Sequence, residues 1–206
     1  MSGATARDLN MEPAIIPLPA ARRGHFRLES GHHGEVWLDL ETLCLDPGPI
    51  RQLAEQLAAR LRAHGPELIC GPLVEGAFVA LMVASTLGLP FAYAERFENA
   101  GRGGLFPVEY RIPGALRAAV RGRRVAIVND VIGAGSAVRG TIVDLAACGA
   151  WTVAIGSLAV MGPSAAALAA DRGVALECLS SLPNTIWIPS ECPLCARNIP
   201  LSSVTS

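Results

Sequence analysis

The chain contains no lysine, and all 17 of its basic residues are arginines. Without lysine there can be no P-loop of the form G-x-x-x-x-G-K-[ST], no Schiff-base lysine and no kinase-type strand lysine. Any anion that the chain binds must therefore be held by arginine, by backbone N–H groups, by the N-terminus of a helix or through a metal ion.

Charge of either sign is also scarce. Charged residues make up 17% of the 206 positions and hydrophobic residues 51%, which is the composition of a chain that folds rather than of a disordered one. The formal net charge of −1 provides no overall attraction to nucleic acid or to an anionic membrane, so we expect neither as a partner.

Unbroken apolar runs are missing as well. Two uncharged stretches, 76–94 and 145–170, are interrupted by glycine and proline into pieces shorter than the roughly 20 residues of a membrane span. Residues 1–20 contain acids and three prolines instead of a signal-peptide pattern. We therefore expect a disordered tail over 1–20, a single domain over 21–206, and a cytoplasmic protein.

Six cysteines are too few for a disulfide-rich protein. Cys192 and Cys195 form C-P-L-C, which supplies only two zinc ligands, and no second pair follows at the spacing of a zinc ribbon. Because the four histidines lie far away in sequence, the pattern favours a structural turn over zinc at Cys192 and Cys195.

Strand-like and helix-like segments alternate along most of the chain. Ile50, Leu53, Leu57 and Leu61 share one helical face behind a capping Asp46. Further helices are predicted over 77–87, 135–148 and 164–172, with strands at 68–70, 91–94, 124–128, 152–160 and 174–179. This alternation predicts an α/β fold, an open parallel sheet flanked by helices.

One corner of this predicted sheet has the composition of a ligand site. The apolar strand 124–128 leads into Asn129 and Asp130, and then into a turn of small residues over 133–137 that opens a helix. Open α/β sheets bind ligands at such corners. Small residues allow backbone amides to converge on a phosphate at the positive end of the helix, the Ser136 hydroxyl adds a donor, and Asn129 and Asp130 are placed to bond a sugar.

Two other functions compete for this corner. A G-x-G-x-x-G fingerprint would require glycine at position 138, which is valine, so an NAD enzyme is disfavoured. A metal-dependent enzyme on the same type of sheet is disfavoured because the sequence shows no cluster of His, Asp and Glu ligands.

Residues 128–139 (VNDVIGAGSAVR) resemble the phosphoribosyl-diphosphate motif of type I phosphoribosyltransferases, in the version found in orotate phosphoribosyltransferases. Residues 26–31 (FRLESG) resemble the F-x-L-x-S-G of that group, and residues 71–76 (GPLVEG) resemble its pyrophosphate loop. Residues 93–104 stand where the family has a flexible catalytic loop, and the C-P-L-C segment resembles a tail seen in some members.

The resemblance implies a type I phosphoribosyltransferase-like sheet of five parallel strands with a small hood, a homodimer, and Mg²⁺ bound mainly through the diphosphate substrate. It also implies transfer of ribose 5-phosphate from phosphoribosyl diphosphate to a base, with orotate expected, in pyrimidine nucleotide synthesis.

The same resemblance assigns roles to individual residues, with no metal ligand from the protein. The 5′-phosphate would be held by Gly133, Ala134, Gly135, Ser136 and Ala137, and the ribose by Asn129 and Asp130. The pyrophosphate would lie along Leu73, Val74, Glu75 and Gly76, the base side would include Phe26 and Glu29, and the catalytic residues would be Asp130, Arg96 and Arg102.

The chain departs from the family pattern mainly in charge. Asn129 replaces the first of two acids, Gly133 replaces a threonine, and Glu75 and Glu29 stand where lysines are common. The loop segment 95–102 has neither the lysines nor the histidine of the family. An alternative therefore stays open, a non-catalytic protein of the same fold that binds phosphoribosyl diphosphate or a nucleotide.

Overall fold

The computed structural model describes residues 21–98 and 104–203. The strands are β1 (Ala21–Arg27), β2 (His33–Leu38), β3 (Leu68–Pro72), β4 (Phe91–Glu98), β5 (Val108–Arg111), β6 (Arg124–Ile132), β7 (Trp151–Met161), β8 (Ala175–Leu182) and β9 (Ile186–Trp187). The helices are α1 (Pro47–Leu61), α2 (Glu75–Leu87), α3 (Arg117–Val120), α4 (Ser136–Ala147), α5 (Ser164–Arg172) and α6 (Pro193–Ala196).

The main sheet has six strands in the order β5-β4-β3-β6-β7-β8. The five strands from β4 to β8 in that order are parallel, and β5 is antiparallel to β4 at one edge. This arrangement confirms the predicted α/β sheet, with one antiparallel edge strand added.

Helices cover both faces of this sheet and bury a separate apolar cluster on each. On one face α1 and α2 pack their apolar side chains, among them Leu57 and Val79, against the strands. On the other face α4 and α5 do so through residues such as Leu145 and Leu168. The central strands are buried on both sides, which explains their nearly continuous apolar sequence.

Strand β6 is longer than its sequence predicts. The sequence places the end of this strand at Val128, since polar Asn129 follows, but pairing with β7 continues to Ile132 opposite Val160. Asn129 and Asp130 consequently lie inside the sheet and are buried. The ladder of backbone hydrogen bonds with β7 outweighs the polarity of these two side chains.

The hood is a small antiparallel sheet in the order β1-β2-β9. It brings His25 of β1 and His33 of β2 next to Cys192 and Cys195, and the ligand atoms of these four residues lie within 4.8 Å of one another. The expectation against zinc assumes that no histidine reaches the cysteine pair, and that assumption is wrong.

No helix among the described residues combines the length and the apolar character that crossing a membrane requires.

Candidate active site

A cleft of about 550 Å³ opens where the hood faces the carboxyl ends of the parallel strands. It is lined by residues 133–137, called here the phosphate corner, and by residues 73–76, called here the diphosphate loop. Asn129, Asp130, Glu29 and Arg96 line the same cleft. The fold thus brings together most of the residues that the sequence assigns to phosphate, ribose, pyrophosphate and base.

The phosphate corner connects β6 to α4 with small residues. Gly135 precedes the helix with a φ of +83°, a left-handed conformation that glycine adopts at little cost. Outside the regular elements, no carbonyl of the described residues accepts a hydrogen bond from the amides of 133–137. These amides and the N-terminus of α4 are therefore available to an anion.

Asn129 and Asp130 are held rigidly by β6 and its neighbours. The Asn129 amide donates to the carbonyl of Val131 at 3.0 Å, and the Ser157 hydroxyl of β7 donates to the backbone carbonyl of Asp130 at 2.9 Å. Both side chains keep oxygen atoms that can accept bonds from ribose hydroxyls.

Burial raises the pKa of Asp130 to about 7. A hydrogen bond from the Val131 amide works against this rise in the pKa, while the negative charge of nearby Glu75 adds to it. The carboxyl group is therefore poised between its neutral and ionised forms near neutral pH, as is common for groups at functional sites.

The diphosphate loop follows β3 and leads directly into α2. The peptide bond between Leu73 and Val74 is cis. A Cβ atom on Gly76 would clash with the Asn129 side-chain oxygen, so only glycine lets α2 begin this close to β6. The loop and the end of β6 are consequently fitted to each other.

A three-residue cluster occupies the hood side of the cleft. The Arg96 Nε donates to Glu29 at 2.8 Å, and the Tyr110 hydroxyl donates to the same carboxylate at 3.1 Å. Burial and the adjacent Glu29 charge raise the pKa of Tyr110 well above its usual value, so its hydroxyl stays protonated. Arg96 also donates to Glu98 at 3.2 Å.

Negative charge dominates the described lining of the cleft. Among the described residues that line it, Arg96 is the one cation, and the acids are Glu29, Asp39, Glu41, Glu75 and Asp130. Additional positive charge would therefore favour the entry of a strongly anionic ligand.

Known proteins are similar to this chain in both sequence and fold. The orotate phosphoribosyltransferase of Pelotomaculum thermopropionicum is 32% identical over 181 residues, 86% of each chain. That of Thermotoga maritima is 32% identical over 184 residues, 88% of this chain and 89% of the relative. The crystal structure of orotate phosphoribosyltransferase from Aeropyrum pernix superimposes with a TM-score of 0.59 at 26% identity, over 79% of this chain and 88% of that one. No family model matches the chain.

This chain belongs to the type I phosphoribosyltransferase family. An adenine phosphoribosyltransferase from Trypanosoma brucei has a TM-score of 0.60 at 16% identity and supports the fold alone. The resemblance to type I phosphoribosyltransferases is thus confirmed at the level of the family.

Of the residues that the resemblance assigns to the site, Phe26 stands apart from the others. Phe26 is buried in the hood with its ring centroid 5.9 Å from that of Trp37, and it does not line the cleft. Arg102 lies outside the described residues.

Sequence reasoning missed Tyr110 and Arg139. Tyr110 packs against Gly140 of α4, where a Cβ atom would stand 3.0 Å from the tyrosine side chain. The Arg139 guanidinium lies 4.9 Å from the centre of the Phe106 ring, and its buried Nε has no hydrogen-bond partner among the described residues. Nothing in the sequence linked Tyr110 to Glu29.

Proposed function

We propose that this chain transfers ribose 5-phosphate from phosphoribosyl diphosphate to orotate and releases pyrophosphate. One observation carries the proposal. A single cleft is lined by the phosphate corner, the diphosphate loop and Asp130, in a chain whose relatives at 32% identity are orotate phosphoribosyltransferases.

The phosphate corner suits the 5′-phosphate. Backbone amides hold a phosphate without any lysine, and the N-terminal end of α4 adds favourable electrostatics. The Ser136 hydroxyl, which lines the cleft, can add a donor. This mode of binding is compatible with a chain whose basic residues are all arginines.

Asp130 and Asn129 suit the ribose. In the reaction the bond from C1′ to the diphosphate oxygen breaks as the bond from the base nitrogen to C1′ forms, and positive charge develops on the sugar ring. Ionised Asp130 would accept hydrogen bonds from the ribose hydroxyls and stabilise that charge. Because burial raises the pKa of Asp130 to about 7, we expect kcat/KM to rise with pH through neutrality.

The donor set of the cleft fits a hard divalent cation. Asp130 and Glu75 offer carboxylate oxygens, the ligands that Mg²⁺ prefers, and the charge of Glu75 raises the pKa of Asp130, which a cation would offset. When bound, Mg²⁺ would neutralise the charge of the diphosphate. We expect Glu75→Gln to raise the Mg²⁺ concentration that gives half-maximal activity.

The base side is the least typical part of the cleft. The Glu29 carboxylate faces the cleft, but its charge is balanced by Arg96 and it accepts a hydrogen bond from Tyr110. These contacts reduce the repulsion that an orotate carboxylate would meet at Glu29.

The test is an assay of pyrophosphate release with phosphoribosyl diphosphate and a panel of bases. Purified protein is mixed with phosphoribosyl diphosphate, Mg²⁺ and either orotate, uracil, adenine or hypoxanthine, and pyrophosphate release is measured. We expect release with orotate and at least about 100-fold less with the other bases, because about 3 kcal/mol of lost binding corresponds to that ratio. Turnover on another base alone would refute the choice of orotate and retain the reaction class.

A non-catalytic binder is the second candidate, and one observation favours it. Arg96, which the sequence assigns to catalysis, is bonded to Glu29 and Glu98, so its charge is already shared by two carboxylates. Saturable binding of phosphoribosyl diphosphate by calorimetry, with no pyrophosphate release from any base, would establish this alternative.

We further propose that two copies of the chain associate. Val74, Phe78 and Leu81 are 54%, 45% and 51% exposed, and together they form an apolar surface along the start of α2. Leu81→Asp is expected to shift the mass measured by light scattering from dimer to monomer, whereas Val143→Asp, at a 55% exposed apolar position on α4, should not. A wild-type chain that is monomeric at micromolar concentration would contradict the proposal.

A cytoplasmic location is also a proposal. None of the six cysteines forms a disulfide, as is usual in a reducing compartment. Fractionation of the source cells with an antibody against the protein would test it.

A further inference from the structure

We propose that His25, His33, Cys192 and Cys195 bind one structural zinc ion that joins the hood to the C-terminal segment. The ligand atoms of these four residues lie within 4.8 Å of one another. Two histidines and two cysteines are a donor set of closed, four-coordinate zinc sites. This site is separate from the cleft, since none of the four residues lines it, and the inference does not depend on the proposed reaction.

The distances between the ligand atoms match a tetrahedron around zinc. Bond lengths of about 2.0–2.1 Å to nitrogen and about 2.3 Å to sulfur give edges of about 3.3 Å for N–N and about 3.5 Å for N–S. His25 Nε2 lies 2.9 Å from His33 Nδ1 and 3.4 Å from Cys192 Sγ. Cys195 Sγ lies 3.2 Å from His33 Nδ1 and 3.7 Å from His25 Nε2. A slight outward movement of these atoms would admit the ion.

A backbone contact already orients the first histidine as a ligand. His25 Nδ1 donates to the carbonyl of Ile199 at 2.7 Å, because a carbonyl can only accept. The Nε2 atom of a neutral His25 therefore carries the lone pair that faces the cluster. Zinc-binding histidines commonly donate their second ring nitrogen in this way, which fixes the tautomer and the ring orientation.

The local chain geometry explains why two distant segments meet here. Cys192 caps the short helix α6, with Pro193 at its first position, so the two cysteines fall on the same side of one turn. The C-terminal segment then pairs with β1, where the Ser202 amide donates to the His25 carbonyl at 2.6 Å. The sulfur atoms of Cys192 and Cys195 consequently reach the face of the hood where the His25 and His33 imidazoles lie.

Burial indicates a structural role for the ion. His25, His33 and Cys192 are 1%, 7% and 2% exposed, while Cys195 lies at the surface and would provide the path of entry. Four protein ligands leave no open position for a substrate. Zinc binding would release the two thiol protons to solvent and leave both cysteines as thiolates.

The first experiment measures metal content. Wild-type protein expressed with zinc in the medium is freed of loose metal by gel filtration, and we expect about one zinc per chain by mass spectrometry, the stoichiometry of a single closed site. Cys195→Ser should lower this to below about one tenth of that value, since one of four ligands is lost. Cys178→Ser, a matched change in β8, should leave it unchanged. Equal zinc in all three proteins, or none in the wild type, would overturn the proposal.

A second experiment stays informative if the variants fail to fold. The wild-type holoprotein is treated with a chelator and then titrated with Co²⁺, which takes the same ligands. We expect the melting temperature to fall by about 5 °C or more on chelation, and cobalt to give thiolate charge-transfer and tetrahedral d–d absorption. No spectrum, or a Cys192–Cys195 disulfide in intact mass analysis of freshly purified protein, would overturn it.

Discussion

The two sides of the cleft present polar and charged groups in different ways. On one side the phosphate corner presents backbone amides and the end of a helix, neither of which depends on side-chain identity. On the other side the groups are the side chains of Glu29, Arg96 and Tyr110, which are hydrogen-bonded to one another. The absence of lysine therefore leaves the anion-binding groups of the first side in place, because main-chain donors are not removed by substitution. It affects the second side, whose charge depends on side chains.

The largest expected effect comes from Asp130, at the junction of the two sides. Asp130→Asn should lower kcat/KM by about 100-fold or more, because the neutral amide cannot stabilise positive charge on the ribose. If activity fell only a few-fold, the assignment of the ribose site to β6 would be wrong.

The same substitution should change stability in the opposite direction. The folded chain keeps the Asp130 proton up to about pH 7, whereas the unfolded chain loses it near the ordinary carboxyl pKa of 3.8. Between these two pKa values the carboxyl group is ionised in the unfolded chain and protonated in the folded chain. The free energy of unfolding therefore falls by up to about 4 kcal/mol as the pH rises from one value to the other. The Asp130→Asn variant is expected to melt at a higher temperature than the wild type at pH 8 and at nearly the same temperature at pH 4. Equal shifts at both pH values would contradict the raised pKa.

Phosphate binding at the phosphate corner is tested most directly by a substitution at Gly135. Gly135→Ala places a side chain where φ is +83° and 3.4 Å from Leu168, so the amides of the corner must shift. We expect the Kd for ribose 5-phosphate, measured by calorimetry, to rise about tenfold or more, which is roughly 1.4 kcal/mol of binding. Gly122→Ala, at φ of +68° in a distant turn, controls for general strain and should leave this Kd unchanged.

The base side is tested at Glu29. Glu29→Gln removes a carboxylate from the cleft and one of the two carboxylate partners of Arg96. The KM for orotate should therefore fall about tenfold while the Kd for ribose 5-phosphate stays constant. Glu98, the other carboxylate partner of Arg96, is 78% exposed, and Glu98→Gln should have little effect on the orotate KM. A rise in the orotate KM in Glu29→Gln would show that Glu29 assists base binding.

The smallest effect is expected at Gly133. A Cβ atom there would meet nothing within 4 Å, so Gly133→Thr adds a hydroxyl to the phosphate corner without a clash. The Kd for ribose 5-phosphate should fall about threefold, since one further hydrogen bond adds little to a corner that already has backbone donors. Weaker binding would indicate that the added side chain occupies the position of the phosphate.

A contact in the fold or in the candidate site is easier to predict from the sequence when the interacting residues lie close together along the chain. The phosphate corner is contiguous, so its residues could be predicted from the sequence itself. The diphosphate loop, which only the family resemblance indicates, reaches this corner because β3 and β6 are parallel neighbours. The Arg96–Glu29 bond joins residues 67 positions apart, and Cys192 meets His25 across 167 positions. Folding of the hood onto the sheet creates the first contact, and packing of the C-terminal segment against the hood creates the second. The predicted end of β6 is wrong because polarity signals a strand end, whereas the partner strand continues.

The run of β6 past Asp130 has a consequence for how the ligand meets the protein. Ladder bonds to β7 on both sides of the aspartate order this carboxyl group during folding, before any sugar arrives. Ligand binding then restricts the sugar rather than the protein at this point, and the amides of residues 127–132 should exchange with deuterium equally slowly with and without ligand. Any slowing on binding should be confined to the turn that follows the strand.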